Sequence, residues 1–278
     1  MPPLTPLYTA ENCSFSCPLQ WGLSIFWRAD VPDDGWFSEL AAALEGDGIR
    51  LLGHRFAEAG ISQFAVSTQP HVVPLTIIQH VKGRLQHLVR DHLLKAFQRN
   101  YGLRSFGHVT RDVVEAYVAS QLGHHQMADS RVQERLRQFQ IRREDIDLSE
   151  PRRTSHGLYW YNLHIVLVHR ERSTEVREDV LCAVHDMILK ACDAKDWLLS
   201  RAGILADHIH LALGCTIDVA PLDVALSFLN NLAYVHGMRP VYQFGGFLGT
   251  FGEYDQRAVK SQTSPHPDER GGGGENDY

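Results

Sequence analysis

Short apolar runs rich in β-branched and aromatic residues alternate along this chain with segments whose apolar residues recur every three or four positions. That pattern predicts strands interleaved with amphipathic helices. Residues 19–29 (LQWGLSIFWRA) read as a buried strand, and Asp33-Asp34-Gly35 opens a helix to about Leu44 that Gly46 and Gly48 end. Residues 49–57 and 61–68 read as two strands joined at Gly60. Pro74 begins a long helix with Leu75, Ile78, Val81, Leu85, Leu88, Val89 and Leu93 at helical spacing. Residues 103–109 form a short strand, and Thr110 caps a helix over 111–122 with Asp112 in its first turn.

The same order recurs later. Strands are expected over 158–168, 197–205, 207–215 and 241–251, and helices over 175–192, 221–235 and 254–261. Residues 1–17 read as an irregular lead-in. Residues 123–155 lack an apolar period and read as a linker with one helical stretch. Residues 263–278, with Pro265, Pro267 and Gly271 to Gly274, are expected to be disordered. Gln63-Phe64-Ala65 falls on His208-Ile209-His210 at an offset of 145 residues, and Phe106-Gly107 falls on Phe251-Gly252 at the same offset. Tyr117 falls on Gln262. The chain therefore reads as a diverged tandem repeat: a first unit over 1–122, a linker over 123–155, a second unit over 156–262 and a tail over 263–278.

A length of 278 residues with 44% hydrophobic positions suits one large domain or two smaller ones. No apolar run reaches the ~18 residues of a membrane helix, and the start shows neither a basic nor an apolar leader. The five cysteines are scattered and odd in number, which reads as reduced thiols. A cytoplasmic protein without membrane contact is expected. The net charge of −6 weighs against a nucleic-acid binder. Residues 82–104 run against it, with Lys82, Arg84, Arg90, Lys95, Arg99 and Arg104 facing the lone acid Asp91. That stretch suits phosphate contact, or a solvated helix face.

Two fragments carry candidate chemistry. In Asp207-His208-Ile209-His210-Leu211 the histidines are two apart in a strand, so both imidazoles point to one side. With one further ligand they would leave open positions on a divalent ion; the other reading is a pair of surface or core histidines. In Tyr117-Val118-Ala119-Ser120-Gln121 the tyrosine and glutamine share a helix face. The amide oxygen can bind a hard ion, and a metal can assist a tyrosine by polarising a phosphate. The other reading is a tyrosine packing into a core. The first unit holds the tyrosine without the histidines, and the second holds the histidines without the tyrosine.

Taken together, these fragments resemble the single-tyrosine HUH transposases of small insertion sequences, whose relatives include the REP-associated tyrosine transposases. The residues that carry the resemblance are 207–211, Lys82-Gly83-Arg84 in the long helix and 116–121. It covers about 19–122 and 157–262. The resemblance implies an α/β fold of two RRM-like (ferredoxin-like) antiparallel-sheet sandwiches, here fused in tandem as a pseudo-dimer. It implies a composite site in which His208, His210 and Gln121 hold Mg²⁺ or Mn²⁺. Tyr117 would attack single-stranded DNA, with hairpin ends among the substrates, leaving a 5′-phosphotyrosine. Lys82 and Arg84 would contact DNA, and the chain would be a monomer mimicking a dimer. Of the two sites a dimer carries, the second would hold Gln63, Ala65 and Gln262 and be inert. The alternative is a catalytically inactive nucleic-acid-binding or regulatory protein descended from such a transposase.

Overall fold

The structure, a computed structural model, describes residues 5–29, 33–58 and 60–253. It is a mixed α/β fold with two six-stranded sheets. In chain order the first half contributes β1 (Ser14–Ser16), β2 (Gln20–Trp27), α1 (Phe37–Glu45), β3 (Ile49–Glu58), β4 (Ile61–Thr68), α2 (Pro74–Val89), β5 (Phe97–Phe106) and α3 (Arg111–His124). Next come α4 (Ser130–Gln138), β6 (Ile141–Arg142) and β7 (Arg152–Arg153). The second half contributes β8 (Gly157–Trp160), β9 (Asn162–His169), α5 (Glu178–Ala194), β10 (Leu198–Ile204), β11 (His208–Gly214), α6 (Pro221–Val235) and β12 (Tyr242–Thr250). The short helix expected over 254–261 and the tail over 263–278 lie outside the described residues.

Local chemistry accounts for the helices. Pro74 and Pro221 occupy the first turns of α2 and α6, where a missing N–H costs nothing and φ is already helical. Helix α2 buries Ile77, Ile78, Val81, Leu85 and Val89 along one face. Helix α6 is apolar on most of its circumference and buries Leu222, Val224, Ala225, Phe228, Leu229, Leu232 and Ala233, as a helix enclosed in a core must.

The two sheets run β3-β4-β2-β5-β8-β7 and β10-β11-β9-β12-β1 with β6 on the outer side of β10. Their inner four strands follow the same order. The fifth strand of each is the segment just before the other half's first long strand, and both pair in parallel: β8 on β5 and β1 on β12. Three sequence expectations change here. Residues 158–168 are two strands in different sheets rather than one. The lead-in over 1–17 contains β1, which approaches β12 so closely that a Cβ on Gly245 would lie 1.9 Å from the Ser14 carbonyl oxygen. Residues 123–155 are also packed: they bury Leu136, Ile141 and Leu148, and β6 extends the second sheet.

Contacts between the halves come in reciprocal pairs. The Gln20 N–H donates to Thr250 Oγ1 at 2.8 Å, and the Asn162 N–H donates to Ser105 Oγ at 2.9 Å. Thr250 Oγ1 donates to the Phe106 carbonyl at 2.6 Å, and Ser105 Oγ to the Phe251 carbonyl at 3.0 Å. The Leu75 N–H meets the Ile217 carbonyl, and the Leu222 N–H meets the Pro70 carbonyl. Trp21 and Tyr161 meet edge to face at 5.0 Å, within one apolar core that draws residues from both halves.

Register corrects the repeat alignment. In the first sheet Leu23 lies between Phe64 and Leu103. In the second Ile165 lies between Leu211 and Leu248. The offset of 145 holds from β5 to β12, whereas β4 matches β11 two residues later. The counterparts of His208 and His210 are therefore Ile61 and Gln63, not Gln63 and Ala65. Gln63 accepts from Arg55 at 2.6 and 2.9 Å.

Thr250→Val should leave the partly buried Gln20 N–H without its acceptor and cost about 1–3 kcal/mol. Urea unfolding should move to a lower midpoint with an unchanged slope.

Candidate functional site

Strand β11 is buried along its whole length. Alternation sends Ile209, Leu211 and Leu213 toward one face and His208 and His210 toward the other. The first set joins the core under α5 and α6. Helix α3, from the first half, covers the second face, resting on β10 and β11. Gly203 permits this. It is the cross-strand partner of His210, and a Cβ there would lie 3.0 Å from the Val118 carbonyl oxygen and 3.7 Å from Gln121 Cβ. The 3.0 Å approach to backbone leaves no slack.

Docked in this way, α3 directs Tyr117, Gln121 and His125 toward the histidines from positions i, i+4 and i+8 of one face. The Tyr117 ring stands edge-on to His210 at 5.5 Å and to His164 at 6.0 Å. Its side is 47% exposed, so a large ligand can reach it. His208 and His210 are 5.0 Å apart, ring to ring, and His125 lies 4.9 Å from His208. Gln121 is buried, and its amide N–H donates to the Tyr117 carbonyl at 3.1 Å. Four of the expected site residues, Tyr117, Gln121, His208 and His210, thus lie together.

Lys82 and Arg84 are engaged elsewhere. Lys82 Nζ donates to the carbonyls of Gln98, Arg99 and Asn100 at 2.7–3.1 Å, and burial pulls its pKa down to about 8. Arg84 forms a two-pronged pair with Asp47 at 2.6 and 2.7 Å. Both side chains tie α2 to the protein's own backbone and loops, a use that charge spacing along the sequence does not reveal.

Three residues to which the sequence motifs assign no role join the site. Asp207 Oδ1 accepts from His208 Nδ1 at 2.6 Å; a carboxylate can only accept, so that nitrogen carries the hydrogen. Asp207 also pairs with Arg172 at 3.0 Å. His164 on β9 brings Nε2 to 3.1 Å from His210 Nδ1. His125 ends α3 one turn beyond Gln121. Its helical spacing from Tyr117 was visible in the sequence, as was the adjacency of Asp207. His164 looked like a single histidine inside an apolar run.

Burial lowers the pKa of His164 to about 4 and of His210 to about 3. For His208, burial outweighs the opposing pull of Asp207. These three imidazoles are neutral near pH 7 and can ligate without first losing a proton. Among the described residues no group of three or more His, Cys, Asp or Glu side chains is arranged to hold a metal ion. A metal here would need the amide of Gln121 beside the two histidines. Its donor chemistry fits: His208 Nε2 remains open with Nδ1–H held by Asp207, His210 Nε2 is open where Nδ1 carries the hydrogen, and the Gln121 N–H bond leaves Oε1. Two nitrogen ligands suit Mn²⁺ better than Mg²⁺.

No family model matches this sequence, and no curated protein matches it. Among solved structures the chain is similar to a putative glycine cleavage system transcriptional repressor, with 9% identity over 84% of this chain and 98% of that chain and a TM-score of 0.23. At that score the similarity bears on neither the fold family nor the site. Among the described residues no helix is long and apolar enough to cross a membrane.

Gly203→Val should force α3 off β10 and cost about 1–3 kcal/mol. Partial proteolysis should then cut first near α3, while the β11 core stays protected.

Proposed function

We propose that this protein is a fused single-tyrosine HUH enzyme that nicks and rejoins single-stranded DNA, in transposition or a domesticated form of it. The observation that carries the reading is the seating of α3, from the first half, on the second half's sheet with Tyr117 5.5 Å from His210. Neither half contains both groups, so the site exists only across the interface. The reciprocal bonds between the halves support their origin as two ferredoxin-like units of a dimer. Ile61 and Gln63 at the counterpart positions support a single active site.

In the proposed reaction Tyr117 Oη attacks a DNA phosphorus. The new O–P bond forms as the P–O3′ bond breaks, giving a 5′-phosphotyrosine and a free 3′-hydroxyl. The tyrosine proton passes to solvent, and the departing oxygen takes one up. Attack by a 3′-hydroxyl on the phosphotyrosine reverses the bonding, rejoins the strand and releases Tyr117. Held by His208, His210 and Gln121, Mn²⁺ or Mg²⁺ would supply charge stabilisation at the scissile phosphate. Asp207 orients His208 for that task. The reading implies a cytoplasmic setting with access to DNA.

A second reading, a non-catalytic nucleic-acid binder of the same descent, draws on the net charge of −6 and on the internal commitment of Lys82 and Arg84. Cleavage separates the two. With hairpin single-stranded DNA and Mn²⁺, the wild type should form a covalent adduct that survives denaturing electrophoresis. Tyr117→Phe should abolish the adduct and leave binding within about threefold, since one surface hydroxyl contributes little to affinity. His208→Ala should abolish it too. An adduct in Tyr117→Phe would put the nucleophile elsewhere, and no adduct in the wild type would favour the binder.

Because the interface is already filled by the fused copy, the protein should be monomeric. Light scattering should give the mass of one chain; a stable mass of twice that would count against the fused arrangement.

A further inference from the structure

His164 shares its face of the second sheet with His210. In β9 it pairs with Ala212 on one side and Gly249 on the other, which sets its ring diagonally across from His210. The two ring planes are near-parallel at 19°, with centroids 5.4 Å apart, and His164 Nε2 lies 3.1 Å from His210 Nδ1. Two neutral imidazoles at that distance share one hydrogen. If His164 donates it, the single N–H of His210 is on Nε2 and blocks that nitrogen as a ligand or base. If His210 donates it from Nδ1, the Nε2 lone pair is open.

We propose that His164 is a positioning residue that accepts the Nδ1 hydrogen of His210 and so keeps the His210 Nε2 lone pair available to the Tyr117 site. Its use in catalysis rests on the functional reading above; the tautomer itself does not. Asp207 does the same for His208 through Nδ1 at 2.6 Å. Both histidines are then held by one nitrogen and offer the other, an outer-partner arrangement that orients imidazole ligands and raises their basicity. The two holders differ in charge. A second carboxylate beside the buried His210 would favour its protonation, whereas a neutral ring supplies the acceptor without adding charge. The first half has Gly22 where the second has His164, and Gln63 where the second has His210, so neither ring occurs without the other. Phe247 packs an apolar ring 5.4 Å from His164 and adds no acceptor of its own.

Long-range ¹H–¹⁵N correlation spectra of the intact, metal-free chain near neutral pH read the tautomer directly. His210 should carry its hydrogen on Nδ1 in the wild type and shift toward the Nε2–H form in His164→Leu. His164→Gln, which restores an acceptor oxygen, should return it toward the Nδ1–H form. Mn²⁺ titration should follow, with affinity falling about 10–100-fold in His164→Leu and recovering in His164→Gln. An Nε2–H His210 in the wild type overturns the proposal, as does a tautomer unmoved in a folded His164→Leu. If that variant does not fold, the wild-type spectrum decides alone. Failure to form a DNA adduct with the Nδ1–H tautomer present would sink the functional reading and leave the role of His164 standing. Adduct formation with an Nε2–H His210 would do the reverse.

Discussion

Contact between α3 and β10 sets the candidate site, and it depends on the missing side chain at Gly203. A Cβ at position 203 would press on the Val118 carbonyl at 3.0 Å, and a branched side chain there should lift the helix and carry Tyr117 and Gln121 away from His210. The helix period and the strand period then act together. Positions i, i+4 and i+8 of α3 face the sheet while positions 208 and 210 face the helix, so two local rules converge on one small volume.

The approach of α3 to the second sheet is in turn fixed by the bridge between the halves. Thr250 and Ser105 each satisfy backbone groups of the opposite half, and β1 and β8 each add a strand to the other half's sheet. The Ser105 bonds are buried and the Thr250 bonds partly so, and such bonds are costly to leave unmade. They work against sliding of one half on the other, while the shared core around Trp21 and Tyr161 supplies the attraction. The chain just after β5 crosses at this bridge, where the Gly252 N–H meets the Val109 carbonyl. From there α3 runs onto β10 and β11 of the second sheet.

The electrostatics of the site follow from burial more than from charge. Desolvation keeps His164, His208 and His210 neutral, and the Asp207 carboxylate divides its oxygens between His208 and Arg172. Lys82 and Arg84 show the converse. A basic run along a helix can be consumed by carbonyl ends and by one acid, Asp47, that lies far off in sequence.

Local periodicity determined much of this protein: the strand–helix order, the common face of His208 and His210, and the common face of Tyr117 and Gln121. These depend only on neighbours in the chain. The match of β4 to β11 could not be fixed that way. Strand side chains alternate with a period of two, so a slip of two residues leaves every apolar residue on the same face and looks equally good. Only hydrogen-bonded register separated Ile61 and Gln63 from Gln63 and Ala65. The apolar run over 158–168 likewise hid a change of sheet after Trp160, because a buried strand reads the same whichever sheet it enters. The meeting of His164 with His210, and of Tyr117 with both, was decided by tertiary structure alone. Those contacts join residues 46 or more positions apart, and nothing in the spacing of residues along a chain encodes which strand lies beside which, or which sheet a helix from the other half comes to cover.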